Sequence, residues 1–308
     1  MAAKVLVVED DADINELMGQ CLTQAGMKYL PALTGEEGLR VAVAEHPDVI
    51  VLDLMLPDVH GFEVARRLSE KRETNDIPIM VLSCMCQDCD RKEAFGAGAL
   101  LYMNKPFNAK DLVATVQKAL AWKTGLKTRT PTGTVVFGGA DPLVALKAIN
   151  DMVADIFVRT KLSEETVGKI REAAGKLGKW LKDWNTEHKT KTLLNLEYRV
   201  ASSPADKNDV EWKLSENEAG LLANDFFKPT TTVHSRGLMG WGAGVWSGKS
   251  TVQQAATLPE KWEQLLAAVG AERFEKNAET RSVRFVRKHG EAMAGLTLEK
   301  NAGLPSGT

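Results

Sequence analysis

The sequence lacks any apolar run long enough to span a membrane, and its start, MAAKVLVVEDD, shows no charged head followed by an apolar stretch. We therefore expect a cytoplasmic protein that has no membrane partner. Cysteine is scarce, with four residues among 308, and thiols stay reduced in that compartment, so a disulfide framework is not expected. A chain of this length exceeds one average core and predicts two domains.

The chain also carries little net charge, formally -2 at pH 7, but that charge is unevenly distributed. Residues 1–125 hold 13 Lys and Arg against 19 Asp and Glu, which leaves 26 against 22 for the remaining residues. An acidic N-terminal part and a mildly basic C-terminal part indicate different functions for the two parts. The basic excess is too small to establish nucleic-acid binding.

Short apolar runs alternate with helical patterns over residues 4–122. The runs read KVLVVED, MKYLPAL, DVIVLDLM, PIMVLS and ALLYMNK, and the helical spacing covers residues 13–25, 61–70, a segment from 90, and 111–122. DVIVLDLM is apolar almost throughout, as a strand buried on both faces requires. The pattern predicts an α/β fold: a doubly wound sheet of five parallel strands with helices on both faces.

Polar residues follow these strands at the edge where such sheets bind ligands. They are Glu9, Asp10 and Asp11 after the first strand, Asp53 within the third, Ser83 after the fourth, and Lys105 after the fifth. Clustered carboxylates require a cation, and hard oxygen ligands suit Mg²⁺. Asp53 would then be a nucleophile for a phosphoryl group, with Lys105 and Ser83 supporting the transferred oxygens.

In that order, VVEDD, VLDLMLPDVHGFEV, VLS and NKPF resemble the receiver domain of bacterial two-component response regulators over residues 4–122. The resemblance implies a receiver domain at residues 1–122 with a flavodoxin-like sheet. In it, Asp53 accepts a phosphoryl group from a histidine kinase or a phosphotransfer protein. Glu9, Asp10, Asp53 and the Met55 carbonyl would hold Mg²⁺, and Lys105, before a cis bond to Pro106, would contact the phosphoryl group. Such a protein catalyses only its own phosphorylation and dephosphorylation.

The same resemblance implies a switch pair, Ser83 and Tyr102. The hydroxyl would move toward the phosphoryl group and the ring would follow inward. The face formed by the fourth helix, fifth strand and fifth helix would change, and a phosphorylation-dependent homodimer could form through it.

Three cysteines lie close together in MVLSCMCQDCDRK, directly after the fourth strand. For Cys84, a small side chain beside the phosphoryl site is a sufficient explanation. Cys86 and Cys89 are candidates for a metal site or a redox pair, but tetrahedral zinc needs a fourth ligand, and Cys21 is predicted on a helix away from them. Their role stays open.

The middle of the chain predicts a linker and a helical hairpin. Residues 123–141 include TRTPTGT and GGADP, which are typical of a loop, and residues 142–187 show helical spacing. Ser163 is the expected N-cap of the second helix, whose apolar stripe comprises Val167, Ile170, Ala174, Leu177 and Leu181. In the simpler interpretation, the hairpin only packs on neighbouring elements. In the alternative interpretation, it is an element for dimerisation or for signal transmission.

Residues 190–290 predict a small α+β output domain, followed by a tail at 291–308. TLLNLEYRVA and DVEWKLS indicate paired strands, LSENEAGLLANDFF a capped helix, LPEKWEQLLAAVG a further helix, and RSVRFVRK a closing strand. The order faintly resembles the winged-helix output domain of OmpR/PhoB-type response regulators. The matching residues are Leu214, Ser215, Glu218, Ser235, Arg236, Val245, Trp246 and 282–286. Four glycines between 237 and 244, and Pro259, depart from the continuous helices of that family.

This second resemblance implies DNA-binding transcriptional control. The candidates for contact with DNA are Arg236, Lys249, Gln253, Gln254 and Lys261, because amides read adenine edges and cations hold phosphates. Each could equally be a solvated helix position. The alternative output is a protein-interaction module without DNA. AGVWSGKS at 243–250 also fits a loose phosphate-binding loop, although no buried strand is predicted before it.

Overall fold

The structure, a computed structural model, describes residues 2–84 and 88–200 together with five later strands at 210–216, 249–251, 273–277, 282–286 and 297–300. These residues fall into two compact units. Unit 1 comprises Met1–Thr130 and the short segment Val153–Val158, and unit 2 contains the remaining described residues. None of the helices in the described part of the chain combines the length and the apolar character of a membrane span.

Unit 1 alternates five strands with five helices. In chain order they are β1 (Lys4–Val8), α1 (Ala12–Gln24), β2 (Lys28–Ala32), α2 (Gly35–Glu45), β3 (Val49–Asp53), α3 (Gly61–Glu70), β4 (Ile79–Ser83), α4 (Asp88–Gly96), β5 (Leu101–Asn104) and α5 (Ala109–Thr128). The strand order is β2-β1-β3-β4-β5, and every neighbouring pair is parallel. This order is that of the flavodoxin-like sheet, so the predicted fold is confirmed.

Two hydrophobic clusters lie on opposite faces of this sheet. Leu6 and Val8 pack with α2, α3 and α4, whereas Val5 and Val7 pack with α1 and α5. The alternation follows from the two-residue period of a strand. All five residues of β3 are buried, which explains its nearly continuous apolar sequence.

Side-chain caps fix where the helices begin. Asp11 accepts hydrogen bonds from the backbone nitrogens of Asp13 and Ile14 at the start of α1. Thr34, His60 and Asn108 cap α2, α3 and α5 in the same way. Because a cap satisfies backbone donors that have no partner within the helix, it also fixes the loop before the helix. These loops lie at the carboxyl edge of the sheet.

Helix α2 is absent from the sequence-based prediction. Its buried residues are Gly35, Gly38 and Ala42, so its inner face shows no stripe of large apolar side chains. A Cβ on Gly38 would lie only 2.7 Å from the Val8 side chain, and glycine therefore allows the helix to pack directly on β1. A face of such small residues gives little hydrophobic periodicity.

The loop predicted over residues 123–141 is wrong for most of its length. Helix α5 continues to Thr128, because Leu126 is fully buried, and a strand follows, β6 (Thr132–Phe137). Thr132, Gly133 and Thr134, which belong to the TRTPTGT segment that indicates a loop, lie in this strand. Gly133 faces Tyr198, whose ring would lie 2.5 Å from an added Cβ, so the glycine makes room for a cross-strand aromatic ring. The boundaries of the predicted domains themselves stay predictions.

The two helices predicted over residues 142–187 are present as α6 (Pro142–Arg159) and α7 (Glu164–His188). Ser163 accepts a hydrogen bond from the backbone nitrogen of Thr166 and so caps α7 as predicted. All five residues of the predicted apolar stripe are buried.

Within unit 1, the α6 residue Asp155 is fully buried and pairs with Arg129, whose Nη2 and Nε lie 2.9 and 3.2 Å from its two carboxylate oxygens. Arg72 also donates a hydrogen bond to the carbonyl of Phe157. These contacts hold the segment Val153–Val158 in unit 1.

The later strands are β7 (Leu194–Val200), β8 (Val210–Glu216), β9 (Lys249–Thr251), β10 (Arg273–Asn277), β11 (Ser282–Val286) and β12 (Thr297–Lys300). They form a four-stranded sheet in the order β12-β8-β7-β6 and a three-stranded sheet in the order β11-β10-β9. The predicted pairing of β7 and β8 is confirmed and is antiparallel, and the strand predicted at β11 is present. The predicted tail at 291–308 contains β12, which pairs in parallel with β8 through Leu298 and Leu214.

Lys249, a candidate for contact with DNA from a helix position, lies in a strand instead. It pairs with Asn277 of β10 in an antiparallel ladder. Glycine-rich sequence before it disfavours a helix, and the β-branched Thr251 favours a strand. A phosphate-binding loop is also contradicted here, because its Lys-Ser pair would begin a helix.

Several other predictions for the last third of the chain lie outside the described residues. They are the helix expected after β8, the helix at 258–270, and the residues Glu218, Ser235, Arg236, Val245, Trp246, Gln253, Gln254 and Lys261.

Candidate functional site

Four charged residues meet at the carboxyl edge of the five-stranded sheet. Glu9 follows β1, Asp53 ends β3 and Lys105 follows β5, and Asp10 lies next to Glu9. Glu9 and Asp53 are buried, with 2% and 6% of their surface exposed, whereas Asp10 is exposed. One oxygen from each of the three carboxylates lies within 4.8 Å of the others. We call Glu9, Asp10, Asp53 and Lys105 the acidic site.

Lys105 bridges the two buried carboxylates. Its Nζ lies 2.8 Å from Asp53 Oδ2 and 2.9 and 2.6 Å from the two oxygens of Glu9. The Lys105 backbone nitrogen donates to the Ser83 carbonyl at 2.9 Å, and the following peptide bond to Pro106 is cis, as predicted. The end of β5 therefore holds the ammonium group over β1 and β3.

The environment of the acidic site changes the pKa of Glu9 and the pKa of Lys105. Burial raises the pKa of Glu9, and the neighbouring charge of Asp53 adds to the increase, against the lowering effect of the hydrogen bond from Lys105. Burial alone would lower the pKa of Lys105, but its hydrogen bonds to Asp53 and Glu9 outweigh that effect and raise it. Lys105 is therefore a cation at neutral pH. One cation among three carboxylates leaves the acidic site negative when all are ionised.

The donor set fits a hard divalent cation. Carboxylate oxygens are the ligands that Mg²⁺ prefers, and Mg²⁺ binds through few protein carboxylates because it keeps several waters. The exposed Asp10 leaves one side of the acidic site open to solvent. A cation there would also offset the mutual repulsion of the carboxylates.

The loop after β3 orients Asp53. Its Oδ1 accepts hydrogen bonds from the backbone nitrogens of Leu54 at 2.6 Å and Met55 at 3.3 Å. Asp53 Oδ2 is thereby left for Lys105. Backbone donors of this kind fix the carboxylate without occupying both of its oxygens.

Gly61 allows α3 to begin directly against Asp53. Its nitrogen donates to the Leu54 carbonyl at 2.9 Å, and an added Cβ would overlap the Asp53 carbonyl oxygen and lie 2.7 Å from Leu54 Cα. Both obstacles are backbone atoms, which cannot rotate away. The sequence signal for this contact is the glycine in LPDVHGF, within the motif that follows β3.

Asp58 is a residue that sequence reasoning missed, although it lies in the same motif. Its two carboxylate oxygens accept hydrogen bonds from the backbone nitrogens of Gly35 and Glu36, each at 2.9 Å. The hydrogen bond from Glu36 is the largest cause that lowers the pKa of Asp58. The loop after β3 is thereby fixed to the start of α2.

Ser83 and Tyr102, the proposed switch pair, lie on neighbouring strands. Ser83 is fully buried at the end of β4 and is paired in register with Asn104. Tyr102 is partly buried in β5, packs against the core cluster on the α2, α3 and α4 face, and has the guanidinium of Arg91 5.8 Å from its ring centre. The structure therefore links Tyr102 to α4.

The group of residues with metal-binding geometry contains no cysteine among the described residues. Cys84 and Cys89 are exposed, Cys21 is partly buried in α1, and Cys86 lies outside the described residues. In the part of the chain that the structure describes, the group of His, Cys, Asp or Glu residues with metal-binding geometry is Glu9, Asp10 and Asp53. The metal or redox role of Cys86 and Cys89 stays a prediction.

Comparison with known proteins finds similarity over the first part of the chain. Residues 5–117 match the family model described as the response regulator receiver domain. The DNA-binding dual master transcriptional regulator RpaA of Synechocystis sp. is 38% identical over 117 residues, which are 38% of this chain and 48% of that protein. The phosphate regulon transcriptional regulatory protein PhoB of Pseudomonas aeruginosa is 38% identical over 121 residues, 39% of this chain and 52% of that protein.

A solved structure of the chemotaxis response regulator CheY4 of Vibrio cholerae shares 31% identity with a TM-score of 0.38, covering 39% of this chain and 100% of that one. The chain spans about half the length of the curated relatives RpaA and PhoB.

Proposed function

We propose that this chain, whose residues 5–117 are a response regulator receiver domain, accepts a phosphoryl group on Asp53 from a histidine kinase or a phosphotransfer protein. The observation that carries the proposal is the contact set of Asp53. Its carboxylate is buried at a sheet edge, with Lys105 on one oxygen and backbone nitrogens on the other, beside two further acidic residues. That is an arrangement for a nucleophilic carboxylate with a fixed orientation.

In the transfer, an Asp53 oxygen forms a bond to phosphorus while the bond from phosphorus to the donor's nitrogen or oxygen breaks, and the leaving group keeps that electron pair. The developing charge spreads over the phosphoryl oxygens. Lys105 would stabilise this charge through the ammonium group that now contacts Asp53 Oδ2. Ser83, buried at the end of the adjacent β4, would donate its hydroxyl to another oxygen.

We assign the metal site to Glu9, Asp10, Asp53 and the Met55 carbonyl. The three carboxylates already lie close enough to share one ion. Mg²⁺ bound there supplies positive charge to the phosphoryl oxygens. Within the protein, Lys105 would move from Glu9 toward the phosphoryl group, because Glu9 cannot serve both cations through the same oxygens.

Tyr102 and Ser83 would report the phosphorylation state. Ser83 would move toward the phosphoryl oxygen, and Tyr102, which packs beside α4, would follow inward. The surface of α4, β5 and α5 would change, and it is our proposed site of a phosphorylation-dependent homodimer.

For the output we propose DNA-binding transcriptional control by residues 190–290. The support is that RpaA and PhoB are named as transcriptional regulators, although the match to them covers only 38–39% of this chain. A protein-interaction output is the second candidate. The observation in its favour is the strand at Lys249–Thr251, because Lys249 was a candidate for contact with DNA from a helix position. Arg236, Lys249, Gln253, Gln254 and Lys261 remain proposed DNA contacts.

Incubation of the full chain with acetyl phosphate and Mg²⁺, followed by mass spectrometry, tests the phosphorylation. We expect the added mass of one phosphoryl group on the wild type and none on Asp53→Asn. Asp58→Asn is the matched control, because Asp58 lies in the same loop but outside the acidic site, and it should still be phosphorylated. An unmodified wild type, or equal modification of Asp53→Asn, would refute the proposal.

Gel shifts of the full chain on the promoter region of its own gene, with and without acetyl phosphate, test the output. Binding that weakens as salt rises supports the DNA contacts. If no fragment binds in either phosphorylation state, DNA control is wrong and the protein-interaction output replaces it.

A further inference from the structure

Asn15 is a buried polar residue for which the proposed chemistry has no direct use. It lies in the first turns of α1, and only 1% of its surface is exposed. Its side-chain nitrogen donates to the carbonyl of Glu9 and to the carbonyl of Ala32, each at 2.9 Å. The amide therefore joins α1 to the residue that follows β1 and to the last residue of β2.

Tyr29 completes this set of contacts. Its hydroxyl donates a hydrogen bond to Asn15 Oδ1 at 2.5 Å. The two carbonyls that accept from the Asn15 nitrogen cannot bond this oxygen, because they have no proton to donate. Burial, followed by the charge of Glu16, raises the pKa of Tyr29, which keeps the phenol protonated as a donor. The Tyr29 ring packs over Gly19, where an added Cβ would lie 2.5 Å from a ring carbon. The ring position is therefore fixed by the helix beneath it.

These contacts hold the short segment at residues 9–11, which we call the acidic loop. The Glu9 nitrogen donates to the Ala32 carbonyl, which also accepts from Asn15, and the Asp11 carboxylate caps α1. The acidic loop is thus bonded on the sheet side and on the helix side. The direction in which the Glu9 and Asp10 carboxylates project depends on this backbone.

We propose that Asn15 and Tyr29 are positioning residues for the metal-binding carboxylates of Glu9 and Asp10. The inference rests on the proposed function, because it assumes that the acidic site binds Mg²⁺. Neither residue touches the reacting atoms. They act through the backbone of the acidic loop, as outer hydrogen-bond partners do in other metal sites, where their loss typically lowers metal affinity about 10- to 100-fold.

The order of effects follows from the contacts. Asn15→Ala removes both bonds to the carbonyls and frees the acidic loop, so we expect the dissociation constant for Mg²⁺ to rise about tenfold. Tyr29→Phe removes only the bond that orients the amide, so a smaller rise is expected. In the double variant the phenylalanine should add nothing, because the amide on which it acts is gone.

Isothermal titration of the full chain with Mg²⁺, combined with amide hydrogen exchange of residues 9–11 in metal-free protein, tests the proposal. Exchange should be faster in both variants. Phosphorylation by acetyl phosphate should be slower than in the wild type at low Mg²⁺ and should approach the wild-type rate at saturating Mg²⁺. A residue with a purely structural role would lower the melting temperature and leave the Mg²⁺ dependence unchanged.

Asn75→Ala is the matched control, since Asn75 is a buried asparagine whose side chain bonds to the Ser69 carbonyl between α3 and β4. It should lower stability without changing Mg²⁺ affinity. If Asn15→Ala does not fold, Tyr29→Phe decides the matter, because it removes a single oxygen atom.

Wild-type Mg²⁺ affinity in a folded Tyr29→Phe variant would overturn the positioning role while leaving the proposed function intact. A wild type that binds no Mg²⁺ would overturn both.

Discussion

Lys105 and Asp53 form a buried ion pair, with the Lys105 Nζ 2.8 Å from Asp53 Oδ2. The same ammonium group contacts both oxygens of Glu9. Two of the three clustered carboxylates therefore share one cation. A change of a single charge at this site affects the stability of unit 1 as well as its chemistry, because buried charges lose the solvation that water provides.

Glu9→Gln should stabilise the metal-free protein at neutral pH. Burial raises the pKa of Glu9 above its ordinary value of 4.5, so the folded protein binds this proton more tightly than the unfolded chain does. Ionisation of Glu9 therefore destabilises the fold. This cost is absent below the unfolded pKa, grows with pH, and is complete above the folded pKa.

We expect the free energy of unfolding of Glu9→Gln at pH 7 to exceed that of the wild type, with the difference disappearing as pH falls below the ordinary value of 4.5. Urea unfolding in the presence of a chelator measures it. Glu16→Gln, at an exposed position of α1, controls for the loss of one charge. A wild type more stable than Glu9→Gln at pH 7 would contradict the prediction.

Gly61→Ala should destabilise the fold by about 2 kcal/mol, because the new methyl group meets backbone atoms of Asp53 and Leu54. It should also slow phosphorylation, since the backbone that carries Asp53 must shift. Gly125→Ala in α5 is the control: nothing lies within 4 Å of its Cβ, and alanine favours a helix by about 1 kcal/mol. Thermal unfolding of the two variants should shift in opposite directions, and equal shifts would contradict the contact.

Arg129→Ala should cost about 3 kcal/mol of unfolding free energy, because it leaves the fully buried Asp155 carboxylate without this partner. Replacing both residues, as in Arg129→Met with Asp155→Leu, should recover much of the loss. By contrast, Lys169→Ala breaks an exposed pair with Glu165 in α7 and should cost less than about 0.5 kcal/mol. Denaturant midpoints measure all three variants, and similar losses for the two single substitutions would show that the buried Asp155 does not depend on Arg129.

Asp58→Ala should cost about 1 kcal/mol, the usual effect of losing a helix cap. The pKa of Asp58 is lowered from its ordinary value of 3.8, chiefly by the Glu36 backbone hydrogen bond. Its stabilising effect is therefore present above that value and is lost as pH falls through the lower, folded pKa. Unfolding curves from pH 7 down into acid should show the difference from the wild type shrinking below pH 3.8. A difference that stays constant with pH would count against the role of the ionised carboxylate.

The five strands of the parallel sheet could be predicted from the sequence, because each strand is a short apolar run that is separated from the next by a helical or polar segment. Helix α3 begins at Gly61 and ends at Glu70, as predicted. The carboxylates and Lys105 could also be grouped from sequence, since parallel strands bring their carboxyl ends to one edge. The roles proposed for these residues rest on the resemblance and on the geometry together.

The positioning role of Asn15 could not be predicted from the strand pattern of the sequence. Its partners Tyr29 and Ala32 are 14 and 17 residues away, and no local pattern marks a polar residue that a tertiary contact will bury. Asp11 illustrates the same limit, because three consecutive acids look alike in sequence. In the structure Asp11 caps α1, whereas Glu9 and Asp10 belong to the acidic site.

The segment Val153–Val158 gives unit 1 a discontinuous chain. A truncation after residue 122 would remove the buried Leu126, and a truncation after residue 130 would still remove the partner of Arg129. A chimaera that exchanges this receiver for another by a single fusion point would therefore expose apolar surface on unit 1. A chimaera that exchanges the receiver should therefore include residues 153–158 with it, or should replace Arg129 at the same time.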